Sequence, residues 1–179
     1  HDCRDAIPAA NVSGGQLVAI ALSREQVLEW LSEVADPEIP VLTIADLGIL
    51  RDVTIGDEVV VQLTPTYSGC PATEVIEQSV VDALCHQGIE NVRIERVLSP
   101  PWTTDWISAA GREKLRAYGI APPADGGSKR ELLHGTRTVA CPRCESTDTA
   151  VVSEFGSTAC KASYKCNDCL EPFEYFKCI

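Results

Sequence analysis

Histidine is nearly missing from this chain of 179 residues: only His1, His86 and His134 occur. They stand in a tail, at a helix end and in a linker, so no base is supplied to a cysteine hydrolase. Methionine is absent, and basic side chains are few, with 15 Lys and Arg against 26 Asp and Glu. A net charge of −11 works against phosphate backbones and anionic lipid surfaces, because cationic side chains drive binding to both. No apolar run approaches the roughly 20 residues of a membrane-spanning helix. The N-terminal stretch lacks a basic start, and its apolar patch, Leu17–Leu22, is too short for a signal peptide. The paired Glu-x-x-His motifs of a diiron bundle and the G-x-G-x-x-G loop of a dinucleotide site are also missing.

Cysteine, in contrast, is abundant. There are nine, an odd number, and four stand in two C-x-x-C pairs, which fits reduced thiols and a cytoplasmic protein better than a disulfide framework. Acidity is concentrated in residues 23–118, with 16 acidic side chains against seven basic ones, whereas residues 119–179 carry eight against seven. Such a surface suits a protein partner with a basic face, or serves only solubility.

The patterning predicts an α+β protein of two parts. Residues 1–22 read as a flexible tail. Ser23 and Gln26 form a capping box ahead of Val27, Leu28, Leu31 and Val34, predicting a helix over 24–35. Two strands, 49–55 and 58–64, flank the turn residues Gly56-Asp57. After P-T-Y-S-G-C-P comes a second helix with Val75, Ile76, Ser79, Val80, Ala83 and Leu84 on one face, stopped by Gly88. A third strand over 91–98 and a third helix from Thr104 or Asp105 to Gly119 complete a helix-hairpin-helix-strand-helix domain, 23–119. Residues 120–136 read as a linker, and 137–179 as a β-rich, four-cysteine, zinc-ribbon-like domain. That last part is too small to be held by an apolar core alone, so a metal is expected.

C-P-R-C at 141–144 and C-N-D-C at 166–169 have the spacing that brings two sulfurs from one tight turn onto one ion. Two such knuckles complete a tetrahedron from Cys141, Cys144, Cys166 and Cys169, the closed thiolate set that zinc favours. The same ligands suit iron or an iron-sulfur cluster. The gap of 21 residues between the pairs calls for a long hairpin. Cys160 and Cys178 are additional ligand candidates or small buried hydrophobes. Cys70 precedes Pro71, which places it at the N-cap of the second helix, where amide donors and the helix dipole favour a thiolate and a transient metal ligand; a half-buried inert thiol is the alternative. Asp36, Glu38 and Asp46 offer hard ligands or caps near that loop. Cys85 reads as structural, and Trp102 and Trp106 as core packing.

In order along the chain, A-D-P-E-I-P-V (35–41), D-L-G-I-L (46–50), S-G-C-P-A (68–72) and P-P-W-T (100–103) resemble the small domain shared by SufT-like and cytosolic iron-sulfur assembly proteins. With C-P-R-C, S-E-F-G-S-T-A-C-K (153–161), C-N-D-C and E-P-F-E-Y-F-K-C (171–178) following, the whole resembles the PaaD family of the bacterial phenylacetyl-CoA ring-epoxidase system. That resemblance implies an accessory role in aerobic phenylacetate catabolism, without oxidation chemistry of its own. Its partners would be a diiron oxygenase, a flavin and iron-sulfur reductase, and iron-sulfur assembly machinery. It also implies a functional centre at Cys70, which with the nearby carboxylates Asp36 and Glu38 makes the candidate set for holding iron or a cluster transiently. The competing readings are a non-catalytic structural subunit of the oxygenase and a zinc-ribbon regulator, the latter disfavoured by the acidity.

Overall fold

The computed structural model describes residues 22–67, 69–123 and 138–177. The expected tail and most of the expected linker lie outside them. In chain order the elements are α1 (Arg24–Ser32), β1 (Leu50–Ile55), β2 (Val59–Leu63), α2 (Ala72–His86), β3 (Val92–Arg96), a 3-10 turn (Thr104–Trp106), α3 (Ala109–Tyr118), β4 (Ile120–Ala121), β5 (Thr149–Ser153), β6 (Lys161–Cys166) and β7 (Pro172–Phe176). The α+β class and the order of the first domain are as the patterning predicts.

Ser23 caps α1 reciprocally with Gln26, and Val27 and Leu31 point inward from it. The helix stops at Ser32, earlier than expected, because Ala35 bridges to Thr43 and the Asp36 amide bonds to the Leu42 carbonyl, pulling the chain out of helical register. In the first sheet β2 is central, antiparallel to β1 and parallel to β3, with Val59, Val61 and Leu63 buried. The buried ridge of α2 is Ala72, Ile76, Val80 and Leu84, spaced four apart, which packs with α1 over this sheet. Val75, expected on that face, is 51% exposed.

The third helix is shorter than expected. A 3-10 turn and the extended residue Ile107 precede Ser108, whose hydroxyl caps Gly111. Asp46 fastens this start to the D-L-G-I-L loop: its carboxylate accepts from the Thr43 amide, the Ser108 hydroxyl and Lys114 Nζ at 2.6 Å. Gly48, at φ 67°, passes so close to Trp106 that an added Cβ would lie 2.7 Å from its carbonyl oxygen. Trp102 is buried and donates from Nε1 to the Leu47 carbonyl at 2.7 Å.

The second sheet has the order β4-β7-β6-β5. Ile120 and Ala121, read from sequence as the start of a linker, form β4 and pair in parallel with Glu174 and Tyr175 of β7. The ribbon therefore grows onto the end of the first domain by strand addition. Phe176 meets Trp102 edge to face at 6.2 Å, and Phe176 and Cys160 join the apolar core of the first domain. A smaller core inside the ribbon gathers Val139, Ala162, Tyr164, Phe173 and Tyr175.

Burial raises the Asp46 carboxyl, but the hydrogen bonds and charge of Lys114, with those of Thr43 and Ser108, outweigh it and hold the group below its ordinary value of 3.8. Its contribution to stability is thus present above that value and is lost as pH falls through the lower, folded one. In urea melts the parent protein should lose stability relative to Asp46→Asn as pH drops below 3.8. Parallel acid limbs for the two would remove Asp46 from this role.

Candidate functional site

Two groups of thiols stand at opposite ends of one hairpin. At the first, the turns after β4 and after β6 present Cys141, Cys144, Cys166 and Cys169, with all four sulfurs within 4.8 Å of one another. Cys141 and Cys169 approach to 3.7 Å, and Cys144 and Cys166 to 3.6 Å. Each turn is closed by backbone bonds, Glu145 N–H to the Cys141 carbonyl and Cys166 N–H to the Glu171 carbonyl. Each needs a left-handed residue directly after its second cysteine, Glu145 at φ 61° and Leu170 at φ 63°. Cys141 and Cys166 are buried, and Cys144 and Cys169 face outward.

Four thiols this close cannot all ionise unaided. The Cys169 amide draws the Cys166 thiol down to about 7. The Ser146 amide favours the Cys144 thiolate too, but desolvation and the three neighbouring sulfurs push that thiol up to about 12. The gap between the two pairs is spanned by the antiparallel strands β5 and β6, in the way a long hairpin would accommodate it.

The second group lies at the far end of β6. Cys160 immediately precedes that strand, and the six residues Lys161–Cys166 carry it about 20 Å from the four sulfurs at ordinary strand rise. It cannot share their ion. Its thiol donates to Glu38 Oε2 at 3.6 Å and meets Thr158 Oγ1 at 3.0 Å. Burial, with the Glu38 charge, pushes it up to about 11, against the hydrogen bond from Thr158. Cys70 lines the same small cavity, together with Asp36, Glu38, Ile76, Arg96, Cys160 and Phe176 among others. On its other side Cys70 borders an open groove of about 510 Å³ beside Pro71, Thr73 and Leu98.

Cys70 does not occupy the N-cap. Pro71 does, and Cys70 stands directly before it, its carbonyl accepting from the Thr73 amide in the first turn of α2 at 3.2 Å. Asp36 is a capping group: its Oδ1 accepts from the amides of Glu38 at 2.9 Å and Ile39 at 2.8 Å, setting the turn that presents Glu38. Asp46, on the α3 side, is absent from the cavity wall. Cys85 is buried on α2 and disulfide-bonded, unlike the six free thiols among the described residues, so the expectation of reduced thiols does not extend to it. Cys178 lies outside the described residues.

Sequence reading passed over Tyr67, Thr158 and Lys161. Lys161 is 5% exposed and pairs with Glu174 at 3.0 Å, while Glu174 also accepts from the Ser157 amide at 2.6 Å. These bonds shape the loop that delivers Cys160, and the run of small residues around Gly156 was its one visible signal.

The chain is 53% identical over 155 residues to the Escherichia coli K12 protein named for a component of the 1,2-phenylacetyl-CoA epoxidase, covering 86% of this chain and 92% of that one. The chain belongs to the PaaD family. Residues 125–177 match the PaaD zinc beta ribbon domain, and residues 24–95 match the iron-sulfur cluster assembly protein family. A second relative of this PaaD-family chain is the Staphylococcus aureus Fe-S protein maturation auxiliary factor SufT, 37% identical over 78 residues, or 42% of this chain and 88% of that one. A solved domain of unknown function from Bacillus anthracis is 27% identical and covers 51% of this chain and 90% of its own, with a TM-score of 0.48. No helix among the described residues is long and apolar enough to cross a membrane.

A Cβ at Gly156 would lie 2.7 Å from Glu174 Oε1 and 3.1 Å from the Lys161 Cβ. Gly156→Ala should therefore displace Glu174, loosen the loop before Cys160 and lower the thermal midpoint, with faster amide exchange at Ser157. An unchanged midpoint and exchange rate would show that the loop absorbs the methyl group elsewhere.

Proposed function

We propose that this chain is an accessory protein of aerobic phenylacetate degradation that matures or maintains the iron or iron-sulfur centres of the phenylacetyl-CoA epoxidase system. Cys70 is the transient ligand for that iron or cluster. Its position carries the reading: one thiol borders both a carboxylate-lined cavity and an open groove, so it is held on one side and reachable on the other. The likeness to a maturation factor over the first domain supports the same assignment. The ribbon docks the client. Its outer strand β5 and the following loop leave Val151, Val152 and Phe155 exposed, an apolar surface suited to a protein partner rather than to nucleic acid.

The four ribbon cysteines hold one structural zinc. A tetrahedron of zinc-thiolate bonds has sulfur-sulfur edges of about 3.8 Å, close to the separations of 3.6 and 3.7 Å between the paired sulfurs. A cluster distributes its thiolates over several iron atoms and so spreads them farther apart. Binding the ion also supplies folding energy that the small ribbon core lacks. Metal and sulfide analysis of anaerobically purified protein should give one zinc per chain at this site and no sulfide there. Iron in its place would reassign the ion and leave the geometry intact, whereas Cys144→Ser should lose the ion and the protection of ribbon amides from exchange.

The test of function is Cys70→Ser in cells making the epoxidase system. The variant should fold and keep its zinc, while the client reductase accumulates without its cluster. A second reading, a stoichiometric component of the oxygenase, is favoured by the name of the Escherichia coli relative. In that case the protein co-purifies in fixed ratio with the oxygenase, and the reductase cluster is indifferent to the substitution.

A further inference from the structure

Cys160 is the thiol that the four-sulfur set leaves unused, and it is 5% exposed. The ribbon delivers it into the first domain, where its hydrogen is donated to Glu38 across the junction. Glu38 in turn is presented by the turn that Asp36 caps. Cys70 enters the same cavity from the loop before α2, between apolar walls that include Ile39, Ile76 and Phe176. The Cys70 amide donates to the Tyr67 carbonyl at 3.3 Å, which shapes the loop that carries the thiol to the cavity. Two thiols and the Glu38 carboxylate thus converge on one cavity, where the cationic wall residue Arg96 is already paired with Glu77.

We propose that Cys70, Cys160 and Glu38 form a second metal site, separate from the four-cysteine centre and built across the two domains, which takes one thiophilic divalent cation. The site rests on the reading of Cys70 as a transient ligand and adds to it a thiolate from the ribbon and a carboxylate from the 36–39 turn. The cavity is small, about 20 Å³, little more than one water-sized sphere, which suits a single ion, ferrous iron in the reading above. The three ligand atoms are not gathered as tightly as the ribbon sulfurs, so binding draws Cys70 inward toward Cys160 and Glu38.

On binding, each S–H bond breaks, a metal-sulfur bond forms, and the proton leaves to solvent; no electron is transferred. Two thiolates and one carboxylate around a divalent ion leave a net charge of −1 and an open coordination position. Cys70 also borders the groove, so the ion has a route to a client ligand without crossing the protein core. Asp36 is a positioning residue here, because its Oδ1 is already engaged by two amides.

The experiment is anaerobic titration of the full-length, zinc-loaded protein with Co(II), followed by Fe(II), with zinc retention measured throughout. The parent should take up one further equivalent of Co(II) with a near-ultraviolet thiolate charge-transfer band. Cys70→Ser and Cys160→Ala should each weaken it by about 100-fold and Glu38→Gln by about 10-fold, all with zinc unchanged. If Cys160→Ala sheds its zinc, Glu38→Gln, which alters only the first domain, decides the matter. The proposal fails if the parent binds no second equivalent with that band, or if Cys160→Ala and Glu38→Gln bind like the parent. Should Cys160→Ala bind normally while Cys70→Ser starves the reductase of its cluster, the proposal falls and the maturation reading stands. If the second equivalent behaves as proposed while neither cysteine variant affects the reductase, the site is real and the maturation reading falls.

Discussion

One strand, β6, sets the distance between two sulfur chemistries. Cys166 closes its C-terminal end inside the knuckle, and Cys160 stands just before its first residue. A paired strand cannot shorten, so the two thiols are held about 20 Å apart. What fixes the orientation of that rod is β7, which pairs with β6 on one side and with β4 from the first domain on the other. The ribbon is consequently an extension of the first domain's chain end, and its non-knuckle end becomes part of that domain's core.

The electrostatics of the junction follow from this seating. Lys161, buried at the start of β6, pairs with Glu174, and its charge also reaches Asp36 in the first domain. Burial still dominates at Asp36 and raises its carboxyl above the ordinary value. The same low polarity raises Cys160, whose thiol is therefore kept protonated and hydrogen-bonded to Glu38 until something positive arrives. At the knuckle end the logic differs: backbone amides rather than burial select which sulfur ionises first.

Local signals in the sequence decide the structure where one residue type has one physical use. The Ser23 and Gln26 box starts α1, Gly119 ends α3 in a left-handed cap, and C-P-R-C with C-N-D-C bring four sulfurs together. They yield where a long-range contact overrides local preference. The Ala35 to Thr43 bridge shortened α1, and the contact of Trp106 with Gly48 accompanies a 3-10 turn where helix was expected. On α2, Val75 is apolar yet lies beside the ridge that the sheet covers, so apolar character alone does not mark the buried face.

The order of residues alone was enough for the two-part α+β arrangement, for the membership suggested by its paired signatures, and for the knuckle cysteines, since two-residue spacing within each pair is a property of the local chain. It took the folded molecule to settle that Ile120 and Ala121 join the ribbon sheet, that Asp36 caps while Glu38 faces a thiol, and that Cys160 meets the cavity of Cys70. These depend on strands and side chains separated by dozens of residues. Their pairing is chosen by which apolar surfaces bury each other, and no local spacing records that choice.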